Sequence, residues 1–186
     1  MGFHTFDADN AGRLEDPAKR YQSVSREELL GALALTGEET LADLGSGTGF
    51  YTDDVAPYAK RVYAVDIQPE MHEFYREKGV PENVDLVTSG IEELPFETDE
   101  LDGAFSTMTY HEFASEAAFG ELARVIRPGG RLVIVDWSAD GDGQSGPPVD
   151  ERYIASDAAS ALGEAGFEIV SQSTRPETFV VIAVKK

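Results

Sequence analysis

The 186-residue chain is predicted to fold as a single α/β domain: a doubly wound, mostly parallel sheet of seven strands with an antiparallel strand at its C-terminal end. Three observations predict it. Short β-rich runs alternate with helix-patterned stretches, as in successive strand–helix crossovers. The apolar run Leu41-Ala42-Asp43-Leu44 stops at Gly45-Ser46-Gly47-Thr48-Gly49, where glycine at every second position marks a tight turn that leaves backbone amides open to a ligand. A second run, Arg61-Val62-Tyr63-Ala64-Val65-Asp66, ends in a carboxylate 21 residues after Gly45. A doubly wound fold places the acid that binds ribose hydroxyls at about this distance, although a solvated strand-end aspartate has the same spacing.

The elements follow in order. Residues 1–24 mix Phe3, Phe6, Leu14 and Tyr21 with many polar groups; they read as an arm with a short helix or as a frayed terminus. Ser25 and Glu28 form a capping box, and Leu29, Leu30, Leu33 and Leu35 give an apolar face that runs to Gly37. A helix over 50–59 follows the glycine turn with its first amides toward the ligand. Pro69, Met71, Phe74 and Tyr75 predict a helix that ends at Gly79 and carries His72 on its exposed side.

Residues 83–88 and 101–107 make the third and fourth strands, and a helix is expected over 115–125. Arg127-Pro128-Gly129-Gly130 reads as a tight turn into the fifth strand, 131–136, which is apolar enough to be covered on both faces. The loop 137–152 holds Gly141, Gly143, Gly146, Pro147 and Pro148. A helix over 155–165 and strands over 167–173 and 178–184 close the chain.

Composition narrows the function. Thirty-five acidic against fifteen basic residues give a net charge of −20, which disfavours nucleic acid and anionic membrane surfaces as partners. The absence of cysteine excludes disulfides, thiolate nucleophiles and Cys-ligated zinc, and no metal site is expected. With no apolar run long enough to span a bilayer and no signal-peptide pattern, the chain reads as a soluble cytoplasmic protein. Acids are spread along the whole length and lysines are scarce, as in proteins of salt-loving organisms, where salt screens the self-repulsion.

Taken together, the motifs resemble those of class I S-adenosylmethionine-dependent methyltransferases. Asp43-Leu44-Gly45-Ser46-Gly47-Thr48-Gly49, Val65-Asp66, Leu94-Pro95-Phe96, Leu101-Asp102 and Arg127-Pro128-Gly129-Gly130-Arg131-Leu132 occur in family order over roughly residues 25–186. The N-terminal segment, Trp137, the Gly146-Pro147-Pro148 turn and Arg152 are similar to one branch of the type 11-like methyltransferases. The resemblance implies a Rossmann-like fold, S-adenosyl-L-methionine as cofactor, a small-molecule methyl acceptor, and a division into an arm or lid (1–24) and the cofactor-binding domain (25–186). Related arsenic methyltransferases hold their substrate with cysteines, which this chain lacks. Two rivals stand beside methyl transfer: a nicotinamide-dependent oxidoreductase, against which Phe50 fills the place of the third glycine of G-x-G-x-x-G, and a non-catalytic nucleotide-binding scaffold.

The resemblance also implies where the site lies. Gly45, Ser46, Gly47, Gly49, Asp66 and Ile67 are expected at the cofactor, and Asp43 is expected either to organise the glycine turn or to meet the cofactor amino group. Where many members carry an aspartate for the adenine amino group, this chain has Gly90-Ile91, so Ile91 and Glu92 are the expected adenine contacts. His111, at the end of the fourth strand, reads either as a general base or as a structural residue that hydrogen-bonds Glu112 or a backbone group, and Glu112 reads as an acid that could bind a cation. Tyr110, Asp136 and Trp137, at neighbouring strand ends, read as substrate walls or as packing. Oligomeric state is left open.

Overall fold

The structure is a computed structural model that describes residues 8–186, with side chains from residue 11 onward. Phe3, His4 and Phe6 of the expected arm lie outside the described residues. After a 3₁₀ stretch, Ala8–Glu15, the chain forms α1 (Pro17–Ser23), α2 (Arg26–Leu33), β1 (Thr40–Leu44), α3 (Phe50–Val55), β2 (Arg61–Asp66), α4 (Pro69–Lys78) and β3 (Val84–Thr88). It continues through β4 (Leu101–Thr107), α5 (Tyr110–Phe113), α6 (Glu116–Val125), β5 (Ile126–Trp137), α7 (Ala155–Glu164), β6 (Phe167–Thr174) and β7 (Thr178–Lys185).

The described strands form one seven-stranded sheet in the order β3-β2-β1-β4-β5-β7-β6. β7 pairs antiparallel to β5 and β6, while β1 pairs parallel to both β2 and β4. The strand order reverses between β1 and β4, and in an open α/β sheet the crevice beyond the carboxyl ends of these strands is the expected ligand site.

Alternate residues of the strands feed two apolar layers. Leu41, Val62, Ala64, Val133 and Val135 pack with Leu29, Leu33, Tyr51, Val55 and Tyr75 on the face covered by α2, α3 and α4. Ala42, Leu44, Val65, Leu132 and Ile134 pack with Leu122, Val125, Ala158 and Leu162 on the face covered by α6 and α7. This two-sided burial explains why β1, β2 and β5 read as continuous apolar runs.

Four expectations are corrected. α2 stops at Leu33 because Ala34 turns left-handed at φ 53°, three residues before Gly37. The helix after the glycine turn is α-helical only to Val55 and tightens to 3₁₀ over Ala56–Tyr58, where Pro57 has no amide to donate. Residues 127–130 stay within β5, whose pairing jumps from Leu101–Ile126 to Gly103–Arg131. A Cβ at Gly130 would lie 2.8 Å from both the Arg127 and Asp102 carbonyl oxygens, so only glycine fits this irregularity. His72 is fully buried, with Nδ1 3.0 Å from Thr88 Oγ1.

Candidate active site

The cradle begins where β1 runs out. Gly45, Gly47 and Gly49 all have positive φ, 77°, 54° and 79°, so the turn depends on glycine for its backbone. The amides of Gly45 and Ser46 both donate to the Val65 carbonyl at 2.9 Å, and the Gly47 amide donates to Asp66 Oδ2 at 2.8 Å. With Gln68 N–H on Asp66 Oδ1 at 2.9 Å, the ends of β1 and β2 are tied through one carboxylate. Burial raises the Asp66 pKa, against the pull of these amides and of His72.

The glycines serve packing as well as ligand approach. A Cβ at Gly45 would lie 2.3 Å from Thr109 Cγ2, and one at Gly49 would lie 2.1 Å from the Tyr75 ring. Asp43 lies beneath the turn, wholly buried; it accepts from Thr52 Oγ1 at 2.6 Å. Burial pushes its carboxyl up to about 7, despite the Thr52 hydrogen bond and the Arg20 charge.

The turn opens into a cleft of about 780 Å³. Its cofactor-side wall includes Ser46, Gly47, Asp66, Ile67, Gly90 and Ile91, and its far wall includes Met108, His111, Glu112, Phe113, Trp137 and Pro147. The segment before α2 reaches it through Leu14 and Arg20. Arg20 lies over the Tyr51 ring at 4.7 Å, and its buried Nε has no hydrogen-bond partner. A nucleoside-shaped ligand that bears a carboxylate suits this end: a glycine turn with no side chains in the way, a carboxylate for hydroxyls, exposed Ile67 for an apolar face, and a guanidinium with a donor to spare.

At the far wall, Asp136 accepts the His111 backbone N–H at 2.7 Å and lies 2.9 Å (Oδ2) and 3.1 Å (Oδ1) from His111 Nδ1. The carboxylate fixes Nδ1 as the protonated nitrogen, so Nε2, 3.9 Å from Glu112 Oε1, carries the lone pair. Burial lowers the His111 pKa, but the Asp136 hydrogen bond and the charges of Asp136, Glu112 and Glu151 outweigh it, and the net shift is upward.

Trp137 is held by the loop it contacts. A Cβ at Gly146 would lie 2.4 Å from the Trp137 ring. Arg152 stacks 5.5 Å from the same ring and donates to the carbonyls of Ser138, Ser145 and Pro147 while pairing with Glu177 at 3.2 Å.

Of the residues expected from sequence, Gly45, Ser46, Gly47, Asp66, Ile67, Ile91, His111, Glu112 and Trp137 meet at the cleft. Five do not line it. Asp43 and Gly49 lie behind the turn, one under it and the other against Tyr75. Glu92 turns outward and accepts from Ser115 Oγ at 2.6 Å, at the start of α6. Tyr110 is a core residue packed against Phe113, Phe119, Tyr153 and Phe179. Asp136 is fully buried, with His111 between it and the cleft. Thr109, Phe113 and Leu14 belong to the site without having been singled out. Their only signal is adjacency to His111 and to the arm, which pattern alone does not convert into a shared wall.

A family model described as a methyltransferase domain matches residues 42–134. A methyltransferase from Aquifex aeolicus, described as S-adenosylmethionine dependent, has a crystal structure that superposes with a TM-score of 0.88 at 29% identity, covering 98% of this chain and 100% of that one. An uncharacterised methyltransferase of Mycobacterium bovis is 32% identical over 141 residues, 75% of this chain and 53% of that protein. An arsenite methyltransferase of Halobacterium salinarum is 29% identical over 191 residues, 93% of this chain and 48% of that protein. The chain thus spans about half the length of these two curated relatives.

Proposed function

The chain belongs to the class I S-adenosylmethionine-dependent methyltransferases, and from that premise we propose that it methylates a small molecule bound between His111 and Trp137. In this reading Asp66 holds the ribose end of the cofactor, and the glycine turn, with no side chain at Gly45 or Gly47, leaves room for it against the backbone. Ile67 and Ile91 flank its base, and Arg20 takes its carboxylate. Bound S-adenosylmethionine supplies an electrophilic methyl group on a sulfonium.

The protein's part is to align the acceptor, exclude water and take a proton. His111 does the last through Nε2, with Asp136 fixing the tautomer and Glu112 orienting the acceptor. The segment 8–24 acts as a lid: Leu14 and Arg20 close over the cleft while Glu15 accepts from Thr48 Oγ1 of the glycine turn. The absence of cysteine from these 186 residues argues against arsenite as the acceptor.

The observation that carries this reading is that the Asp136-oriented His111 and the Asp66-tied glycine turn open into one cleft. Calorimetric titration with S-adenosylmethionine, S-adenosylhomocysteine and NAD tests it. Saturable binding of both sulfur nucleotides, lost in Asp66→Ala, and no binding of NAD are expected. A folded protein that binds neither sulfur nucleotide would overturn it in favour of a scaffold.

A further inference from the structure

We propose that Arg152 is a positioning residue that builds the acceptor end of the cleft before the acceptor arrives, by holding Trp137 and the Gly146-Pro147-Pro148 turn as one fixed wall; this rests on the methyltransferase reading above. Neither the cofactor nor the base at His111 calls on this arginine. Its side chain is nevertheless fully buried, and a guanidinium out of water is costly unless partners meet it on several sides.

Those partners all belong to the wall or to its base. Nε donates to the Pro147 carbonyl at 2.9 Å, Nη1 to the Ser138 carbonyl at 3.3 Å and to Glu177 Oε2 at 3.2 Å, and Nη2 to the Ser145 carbonyl. One planar fork thus gathers both ends of the loop after β5, and it lies 5.5 Å from the Trp137 ring. Glu177 ties the same knot from the other side. Its carbonyl accepts the Ser138 amide at 2.9 Å and its Oε1 the Asp142 amide at 3.1 Å, while Thr178, the next residue, pairs with Trp137 across the β5–β7 ladder.

The turn is fitted to the indole as closely. Gly146 has φ 83°, and a Cβ there would lie 2.4 Å from the Trp137 ring, so another residue would be strained and would push the ring aside. Trp137, Gly146, Pro147 and Pro148 all line the cleft. A wall of one indole and two prolines, held by a buried fork, has little freedom left to lose when an acceptor docks, which is what preorganised binding requires. Lysine at position 152 would keep the charge but could not reach three carbonyls and a carboxylate at once.

Trp137 is the only tryptophan in the sequence, so its fluorescence reports the wall directly. The test titrates the full chain, saturated with S-adenosylhomocysteine, with acrylamide as a neutral quencher, for wild type, Arg152→Lys and Glu177→Gln. Calorimetry on the same proteins gives the S-adenosylhomocysteine affinity. Arg152→Lys is expected to shift the emission to the red and to raise the quenching constant about threefold or more, because losing one hydrogen bond to a charged group moves an open–closed balance by about tenfold. The affinity for S-adenosylhomocysteine should stay within about twofold of wild type, since the fork has no partner at the cofactor end. Glu177→Gln, which keeps an acceptor but removes its charge, should act in the same direction by less.

Unchanged emission and quenching in folded Arg152→Lys would overturn the proposal while the cofactor reading stands. Quenching that rises together with a loss of S-adenosylhomocysteine affinity would overturn it too, because Arg152 would then support the whole fold and not the acceptor wall. Should Arg152→Lys fail to fold, Glu177→Gln decides by the same two readouts. A wild-type protein that binds no S-adenosylhomocysteine would overturn the methyltransferase reading and the proposal with it.

Discussion

Asp136 shows how one buried side chain sets the chemistry of another. It accepts from both the backbone and the ring of His111, so replacing it with asparagine keeps the shape but no longer dictates the tautomer. Asp136→Asn is expected to lower kcat/KM by about two orders of magnitude, within the usual worth of a general base, without changing S-adenosylhomocysteine affinity. Because Asp136 helps to raise the His111 pKa, the rising limb of the rate–pH profile should also move to lower pH; an unmoved limb would separate Asp136 from catalysis. Asp43 provides a second prediction, on stability. Its folded pKa of about 7 lies above the unfolded carboxylate value, so folding takes up a proton and stability drains away as pH climbs from about 4 to about 7. Asp43→Asn should therefore be more stable than wild type at pH 8, by on the order of 4 kcal/mol at most, and show no gain at pH 4, as thermal melts at the two values would reveal. The sequence marked both aspartates as site residues, since strand-end position is legible. Which way each carboxylate faces is decided by partners 9 and 25 residues away, Thr52 and His111, and no local pattern carries that.

Elements are held to the sheet by means that differ in legibility. β1 and β2 could be bounded closely because their apolar runs end in glycine or aspartate, and α6 because Ser115 caps it. α5 went unseen, since one turn between a strand and a capped helix has no periodicity to display. His72 was misjudged because α4 turns it inward beneath the end of β3, against Thr88. The arm is attached differently again, by polar contacts. Tyr51 Oη lies within hydrogen-bond distance of the Arg20 and Val24 carbonyls, at 2.7 and 3.0 Å, and Tyr21 Oη donates to Asp54. Lys78 bridges Glu15 and Asp53 at 3.2 and 2.9 Å. Partly exposed ion pairs of this kind contribute about 1 kcal/mol, enough to bias a lid without deciding the fold. Lys78→Ala is expected to leave the melting temperature within a few degrees while speeding tryptic cleavage at Arg13, Lys19 and Arg20. S-adenosylmethionine should slow that cleavage in wild type if the arm closes on the cofactor, and unaltered cleavage in the variant would mean that the bridge does not hold it.

At the scale of the whole molecule, charge dominates. The surplus of acids gives −20 on 186 residues, and the ion pairs that offset it, such as Arg61–Asp85 and Arg127–Asp102, are half exposed at the arginine. Salt acts on two opposed quantities. It weakens those few attractive pairs, each worth about 1 kcal/mol or less, and it weakens the far more numerous repulsions among carboxylates, whose range falls from about 10 Å at 0.1 M to about 3 Å at 1 M. Unlike the pairs, the repulsions extend over the whole surface, so their relief should win. The melting temperature is therefore expected to rise steadily between 0.1 and 2 M potassium chloride. A matched titration with an uncharged osmolyte would separate screening from general exclusion effects, which strengthen burial in any protein. A melting temperature that fell with salt would mean that the arginine pairs outweigh the repulsion, and would remove the physical basis for reading this surface as adapted to high salt.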